Sequence, residues 1–313
     1  MFYSPLRYPG GKNKLAGFIA KICVDNDIRG HYIEPYAGGA GVAIFLLLEG
    51  FVERITINDK DRSIYAFWHS VVFESEALCN LIESTPITVE NWQIQKNLQE
   101  QKERISLLEL GFSTLFLNRT NRSGIIKGGM IGGRQQLGDY KLDCRFTKDE
   151  IIRRIKDISL MKDRIRLLSM DALDLVDLVP RQELKSTIIY FDPPYYLKAE
   201  QLYMNYYQHD DHADVAKKIA NIEGLNWIVS YDNQVAIKNL YSEYNSKEYT
   251  FNHSAHTSKE GKEILFFSPG LNYPKLQYWN PTEFKLENKA SGKVIVFRPK
   301  KPKAVDMTKP IFF

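Results

Sequence analysis

An apolar run, Ile188-Ile189-Tyr190-Phe191, ends abruptly in Asp192-Pro193-Pro194-Tyr195-Tyr196. The β-branched and aromatic residues suit a strand buried inside a parallel sheet. The two prolines cannot extend the ladder, so the backbone turns rigidly just after Asp192. The Asp192 carboxylate and the Pro193 carbonyl can then face one point, two acceptors for a donor with two hydrogens. The exocyclic amine of a nucleobase is such a donor. Its lone pair is delocalised into the ring, and two converging acceptors draw it out of the ring plane for attack. Tyr195 supplies a π-face for a base taken out of its stack. The same four residues also make a stiff turn at a strand end, and the rest of the chain has to decide between the two readings.

A second group of residues reads as a nucleoside pocket. His31-Tyr32-Ile33-Glu34 is a short strand, Pro35-Tyr36-Ala37-Gly38-Gly39-Ala40-Gly41 is a glycine turn, and Val42–Leu48 is an apolar helix ending near Gly50. Backbone amides at such a turn and the dipole of the following helix receive a polar or anionic ligand. Ile55-Thr56-Ile57-Asn58 gives a second strand ending in Asp59, 21 residues after Gly38, where a carboxylate can bind both hydroxyls of a ribose. Glu34, Tyr36, Gly38 and Asp59 are therefore candidate cofactor contacts. Arg166–Ser169 returns as a short strand, and Asp171 and Ala172 at its end would sit beside the cofactor's base. The spacing is not Gly-x-Gly-x-x-Gly, which argues against NAD. At the start, Tyr8-Pro9-Gly10-Gly11-Lys12 is a Gly-Gly turn between an aromatic and a cation, ahead of an amphipathic helix from about Asn13 to Val24. Lys12 would meet a carboxylate or a phosphate, with Tyr8 packed on it.

Between the second strand and Arg166 the pattern is helical, with a charged run at Gln93–Glu109 and an apolar one at Leu107–Leu117. It then breaks into Asn118-Arg119-Thr120-Asn121-Arg122-Ser123-Gly124, continuing through Lys127 to Arg134. Arginine and asparagine read guanine and adenine edges bidentately, and a glycine-rich loop can carry them into a groove. Asn118, Arg119, Asn121, Arg122, Ser123, Lys127 and Arg134 are the candidate DNA contacts. Thr147 followed by Glu150 has the capping-box pattern of a helix reaching Leu160. Further on come an amphipathic stretch at Asp210–Glu223, a strand at Trp227–Ser230 and a hairpin, Glu248–Phe251 with Glu263–Phe267. The hairpin loop carries His253 and His256, which could touch substrate phosphate. Val294–Phe297 reads as an added strand before the basic tail Arg298–Lys303.

The net charge of +4 is mild but segregated. Residues 118–166 hold 13 Lys/Arg against 6 Asp/Glu, and residues 271–313 hold 9 against 3; the remainder is acidic, 20 against 29. A polyanionic partner meeting the two basic segments fits this asymmetry. No apolar run approaches the roughly 18 residues of a membrane span. Cys23, Cys79 and Cys144 are odd in number and widely spaced, as expected of free thiols in the cytoplasm, with no metal-ligand spacing. None of them follows a proline, which excludes cytosine-C5 chemistry through a Pro-Cys nucleophile.

Taken in order, Tyr-Pro-Gly-Gly-Lys, Glu-Pro-Tyr-Ala-Gly-Gly-Ala-Gly, an acidic second-strand end, Asn-Arg and Asp-Pro-Pro-Tyr resemble the Dam-type, class D12 adenine-N6 DNA methyltransferases over roughly residues 1–270. The resemblance implies an α/β fold: a doubly wound, mostly parallel seven-stranded sheet of the class I S-adenosylmethionine-dependent type, with an inserted, mainly helical target-recognition domain. It divides the chain into a catalytic domain (1–70 and 167–270), the insertion (71–166) and a basic extension (271–313). It places Tyr8, Lys12, Asp59 and Asp192 among the contacts to S-adenosylmethionine, and Asp192, Pro193, Pro194 and Tyr195 in the catalytic motif. The implied partners are double-stranded DNA and a possible cognate restriction endonuclease, with no membrane and no metal. Enteric relatives that read GATC carry another series after Asn-Arg, so the target sequence stays open. An N4-cytosine methyltransferase, which more often has serine at the position of Asp192, and a non-catalytic DNA-binding regulator are the alternatives.

Overall fold

A computed structural model describes residues 3–7, 12–196, 209–221, 223–252, 260–275, 279–289 and 292–299. Seven strands form one sheet: β1 (His31–Glu34), β2 (Arg54–Asn58), β3 (Ile165–Leu168), β4 (Thr187–Phe191), β5 (Asn226–Asp232), β6 (Asn245–Asn252) and β7 (Glu260–Phe267). Their order is β3-β2-β1-β4-β5-β7-β6. The five strands from β3 to β5 run parallel, and β7 is antiparallel to both of its neighbours. This is the doubly wound, mostly parallel sheet expected from the sequence. The winding direction reverses between β1 and β4, so the crevice outside their carboxyl ends is where a ligand is received. Glu34 ends one of these strands and Asp192 follows the other.

Both faces are covered, which is why β4 reads as an unbroken apolar run. Ile188 and Tyr190 face a core built on α1 (Ala16–Asp25), α2 (Gly41–Leu48), α3 (Arg62–Phe73), α6 (Leu107–Thr120) and α7 (Lys148–Ser159). Ile189 and Phe191 face a second core, to which α8 (Ala172–Leu175), α9 (His209–Ala220) and α10 (Val235–Leu240) contribute. The alternation has the period of two that a pleated strand imposes.

Five helices, α3 to α7 with α4 at Ser75–Ser84 and α5 at Val89–Glu100, lie between β2 and β3 in the chain. The charged run from Gln93 is not one helix: α5 stops at Glu100, and Ser106 starts α6 with a reciprocal capping box to Glu109. Thr147 does not form the box expected of it. Its hydroxyl lies 3.2 Å from Glu150 Oε2, no backbone amide is capped, and Glu150 is drawn to Arg154 one turn on. The opening helix starts later than its pattern suggests, after a 3-10 turn at Lys12–Leu15.

The expected strand near Val294 exists, but outside the central sheet. β8 (Phe284–Lys289) and β9 (Gly292–Phe297) form their own antiparallel hairpin. It docks on α1 at Gly17, where a Cβ would fall 2.3 Å from the Phe284 carbonyl oxygen, so only glycine admits the approach. Phe18 stacks on Trp279 beside it, ring centroids 5.2 Å apart.

Candidate active site

Asp192 sits just past β4 and keeps one oxygen busy. Its Oδ1 accepts from Ser230 Oγ at 2.6 Å and lies 3.0 Å from Lys12 Nζ. Ser230 comes from the end of β5, the neighbouring strand, and its hydroxyl is itself paired with Tyr190 OH at 2.8 Å. Among the described residues, no hydrogen bond reaches Asp192 Oδ2 or the Pro193 carbonyl. Among those residues the two acceptors expected from the sequence are not engaged, while Oδ1 is pinned.

Lys12 is buried in this cluster. It donates to Tyr195 OH at 3.1 Å and lies 3.6 Å from Glu263 Oε1. Tyr195 OH donates to the same Glu263 oxygen at 2.6 Å, and Tyr249 OH donates to the other. Burial works against the charge on Lys12, but the carboxylates of Asp192 and Glu263 outweigh it and hold the ammonium well above its ordinary pKa. Burial raises the pKa of Asp192, Glu263 adds to the rise, and Lys12 and Ser230 oppose it. Glu263 and Ser230 escaped the sequence reading. Their signals were a glutamate entering the apolar run of β7 and a polar residue closing β5.

The nucleoside side is assembled by Asn58. Its amide donates to Pro35 O at 2.8 Å and Met170 O at 3.1 Å and accepts from Met170 N, joining the ends of β1, β2 and β3. Gly38 donates its N–H to Asp59 Oδ2 at 2.9 Å, and Trp68 Nε1 holds the Gly38 carbonyl. Burial pushes the Asp59 carboxyl up to about 7. Glu34 accepts Tyr32 OH and the Ala43 N–H on one oxygen, and burial pushes it up to about 8. Tyr36 is half-buried on the second core. A buried carboxyl, Glu34, and a half-buried one, Asp59, beside a glycine turn at the switch point supply acceptors suited to ribose hydroxyls and an amino acid ammonium. Asp171, just past β3, caps α8 through Leu173 N and pairs with Lys60, and the next residue, Ala172, is buried. Tyr8 lies outside the described residues, as do His253 and His256.

The basic loop divides sharply. Asn118 and Asn121 are buried and do not face a groove. Asn118 holds Arg7 N, Arg7 O and Gly124 O, while Asn121 accepts from Trp92 Nε1 and donates to Ile125 O and Ile126 O. These irregular segments have no ladder to pair their carbonyls, and the two amides supply the donors. Arg119 is buried too, whereas Arg122, Ser123, Lys127 and Arg134 are exposed.

Residues 8–254 match the family model of the D12 class N6 adenine-specific DNA methyltransferases. The chain belongs to this family. It transfers a methyl group to adenine N6 in DNA, with S-adenosylmethionine as the methyl donor. It is 22% identical over 231 residues, 69% of this chain and 77% of the other, to the Type II methyltransferase M.MjaIII of Methanocaldococcus jannaschii. Among solved structures it is similar to a conserved hypothetical protein of Streptococcus pyogenes (TM-score 0.34, 13% identity, 78% of this chain and 90% of that one). It is also similar to the rRNA methyltransferase aviRa of Streptomyces viridochromogenes (TM-score 0.32, 10% identity, 80% and 83%). The fold assignment rests on the strand order rather than on these likenesses. Among the described residues, no cluster of His, Cys, Asp or Glu is placed to hold a metal, and no helix is long and apolar enough to cross a membrane.

Proposed function

We propose that this D12 methyltransferase extrudes adenine from a specific duplex sequence and methylates it by direct attack. The observation that carries this reading is the asymmetry of Asp192, one oxygen held by Ser230 and Lys12 and the other without a partner among the described residues. Asp192 Oδ2 and Pro193 O accept the two amine hydrogens and turn the nitrogen lone pair out of the ring plane. Bound S-adenosylmethionine supplies a methyl carbon on a sulfonium, held by Glu34, Tyr36, Gly38 and Asp59. Attack on that carbon would form the N–C bond as the S–C bond breaks with its electrons left on sulfur, and Asp192 would be the residue to take the proton that the amine gives up. No covalent enzyme intermediate is needed, so catalysis is chiefly positioning. Lys12 fixes Asp192 and Tyr195 in this scheme, and Pro194 keeps the turn rigid. Tyr195 is buried, so stacking a base on it requires its ring face to be uncovered first.

The exposed Arg122, Ser123, Lys127 and Arg134 are our candidates for reading the duplex. The helical layer within 71–166 then serves target recognition, and 1–70 with 167–270 serves catalysis. The segregated basic charge of 118–166 supports this division. The relative's name supports a restriction-modification setting, with an endonuclease of the same sequence specificity as partner and the cytoplasm as the place of action. Modification-sensitive sequencing of host DNA after expressing the intact protein and Asp192→Ala tests the reading. N6-methyladenine in one short motif, made only by the intact protein, is the expected result. Methylation by both, or at adenines without a common motif, overturns it.

A further inference from the structure

Four arginines converge where the amino-terminal strap crosses the helical layer. The strap, Ser4–Arg7, is fixed by Asn118, which accepts from Arg7 N at 2.8 Å and donates to Arg7 O at 3.2 Å. Gly124 presses on the same carbonyl: a Cβ there would fall 2.0 Å from Arg7 O, and its φ of +78° is one that glycine accepts freely. Arg154, from α7, reaches under the strap to Ser4 O at 2.9 Å. Arg119, beside Asn118, makes a single long contact, Nη1 to Arg145 O at 3.4 Å.

The guanidinium donors here outnumber their acceptors. Arg119 is 6% exposed, yet its Nε has no partner, and neither has the buried Nε of Arg154. Glu150 is the carboxylate facing this group, and Arg154 and Thr147 already engage it. Burial and the neighbouring Arg154 and Arg7 pull Arg119 down to about 10, and Arg7 is lowered by burial and by Arg145. Buried donors without acceptors and adjacent like charges are both costly unless an anion completes them. Arg7 is exposed and Arg145 half-buried, so the cluster opens to solvent on their side.

We propose that Arg7, Arg119, Arg145 and Arg154 form a binding site for a phosphate of the DNA backbone flanking the target adenine. A phosphate presents several acceptor oxygens to guanidinium forks, the pairing this cluster lacks. The site is tied to the chemistry by the chain itself. Arg7 and Lys12 are five residues apart, which spans at most about 17 Å. One bound duplex spans that distance, so a phosphate can be held at Arg7 while the base is presented to Asp192. The inference rests on duplex DNA being the substrate.

The test is equilibrium binding of the full-length protein to a random-sequence duplex across a salt series, alongside binding of S-adenosylmethionine. Arg7→Ala/Arg145→Ala removes the two accessible cations and leaves the buried pair and its packing in place. The expected result is at least about tenfold weaker DNA binding, with the slope of log Kd against log salt reduced by about 1, the worth of one phosphate. Cofactor binding should stay at the wild-type level. Arg181→Ala/Lys185→Ala, which removes two exposed cations just before β4, should change neither quantity. An unchanged slope in the Arg7/Arg145 variant overturns the phosphate site while leaving the methyltransferase reading intact. An equal loss in the control variant overturns it as well, since the effect would then be general charge. If the wild-type protein binds cofactor but neither binds nor methylates duplex DNA, the functional reading falls and this inference with it.

Discussion

Ser230 donates to Oδ1 of Asp192 from the adjacent strand, at 2.6 Å, and leaves Oδ2 without a partner among the described residues. The contact orients the carboxylate and also favours its ionised form. Ser230→Ala should lower kcat about tenfold, the worth of one lost hydrogen bond to a charged group, with little change in KM for DNA. Asp192 then holds its proton more tightly, so the acid limb of the kcat–pH profile should move to higher pH. A uniform loss of activity without that movement would mean that Ser230 only packs.

Glu263→Gln should move the same limb the other way. The Glu263 charge raises the pKa of Asp192, and glutamine keeps the shape while removing the charge. The acid limb should shift to lower pH even if kcat falls because Lys12 has lost one of its two carboxylates. Opposite shifts in the Ser230 and Glu263 variants, measured on one substrate, are the signature of this cluster.

Asn121→Ala should destabilise the fold by about 3 kcal/mol. It strands the buried Trp92 Nε1 and two backbone carbonyls, each a buried polar group losing its partner. Urea denaturation measures the loss. A variant of wild-type stability that methylates a different sequence would restore Asn121 as a base reader.

These asparagines show where the sequence stops being legible. The strands could be read because a buried parallel strand must be apolar on both faces, and Lys12, Asp59 and Asp192 because each stands where such a run or a glycine turn ends. Asn-Arg-Thr-Asn-Arg has no periodicity to say which side chains turn inward, and the same amides that read a base edge also satisfy loop carbonyls. Ser230 and Glu263 were invisible as site residues for a related reason: each matters through a partner on another strand, and pairing across the sheet is not written in local pattern. The β8–β9 hairpin was half legible, its strand from composition but its docking only from Gly17, a glycine inside an otherwise ordinary helix.

Glu34 makes stability depend on pH. Its folded pKa of about 8 lies above the usual glutamate value, so the folded state holds a proton that the unfolded chain releases. Its contribution to stability should therefore be greatest at low pH, fall by about 1.4 kcal/mol per pH unit as pH rises from about 5, and level off above about 8. Glu34→Gln removes this contribution. Chemical denaturation at pH 6, 7 and 8 should show the variant gaining on the wild type at each step, and a constant difference would contradict the assignment.

Glu263 accepts from Tyr195, faces Lys12 and lies on the seventh and last strand of the sheet to be synthesised. A nascent chain that has released Lys12 and Tyr195 from the ribosome still lacks the carboxylate that both of them contact. An amino-terminal fragment ending before residue 260 therefore carries the signature motifs without the Glu263 carboxylate that completes the cluster.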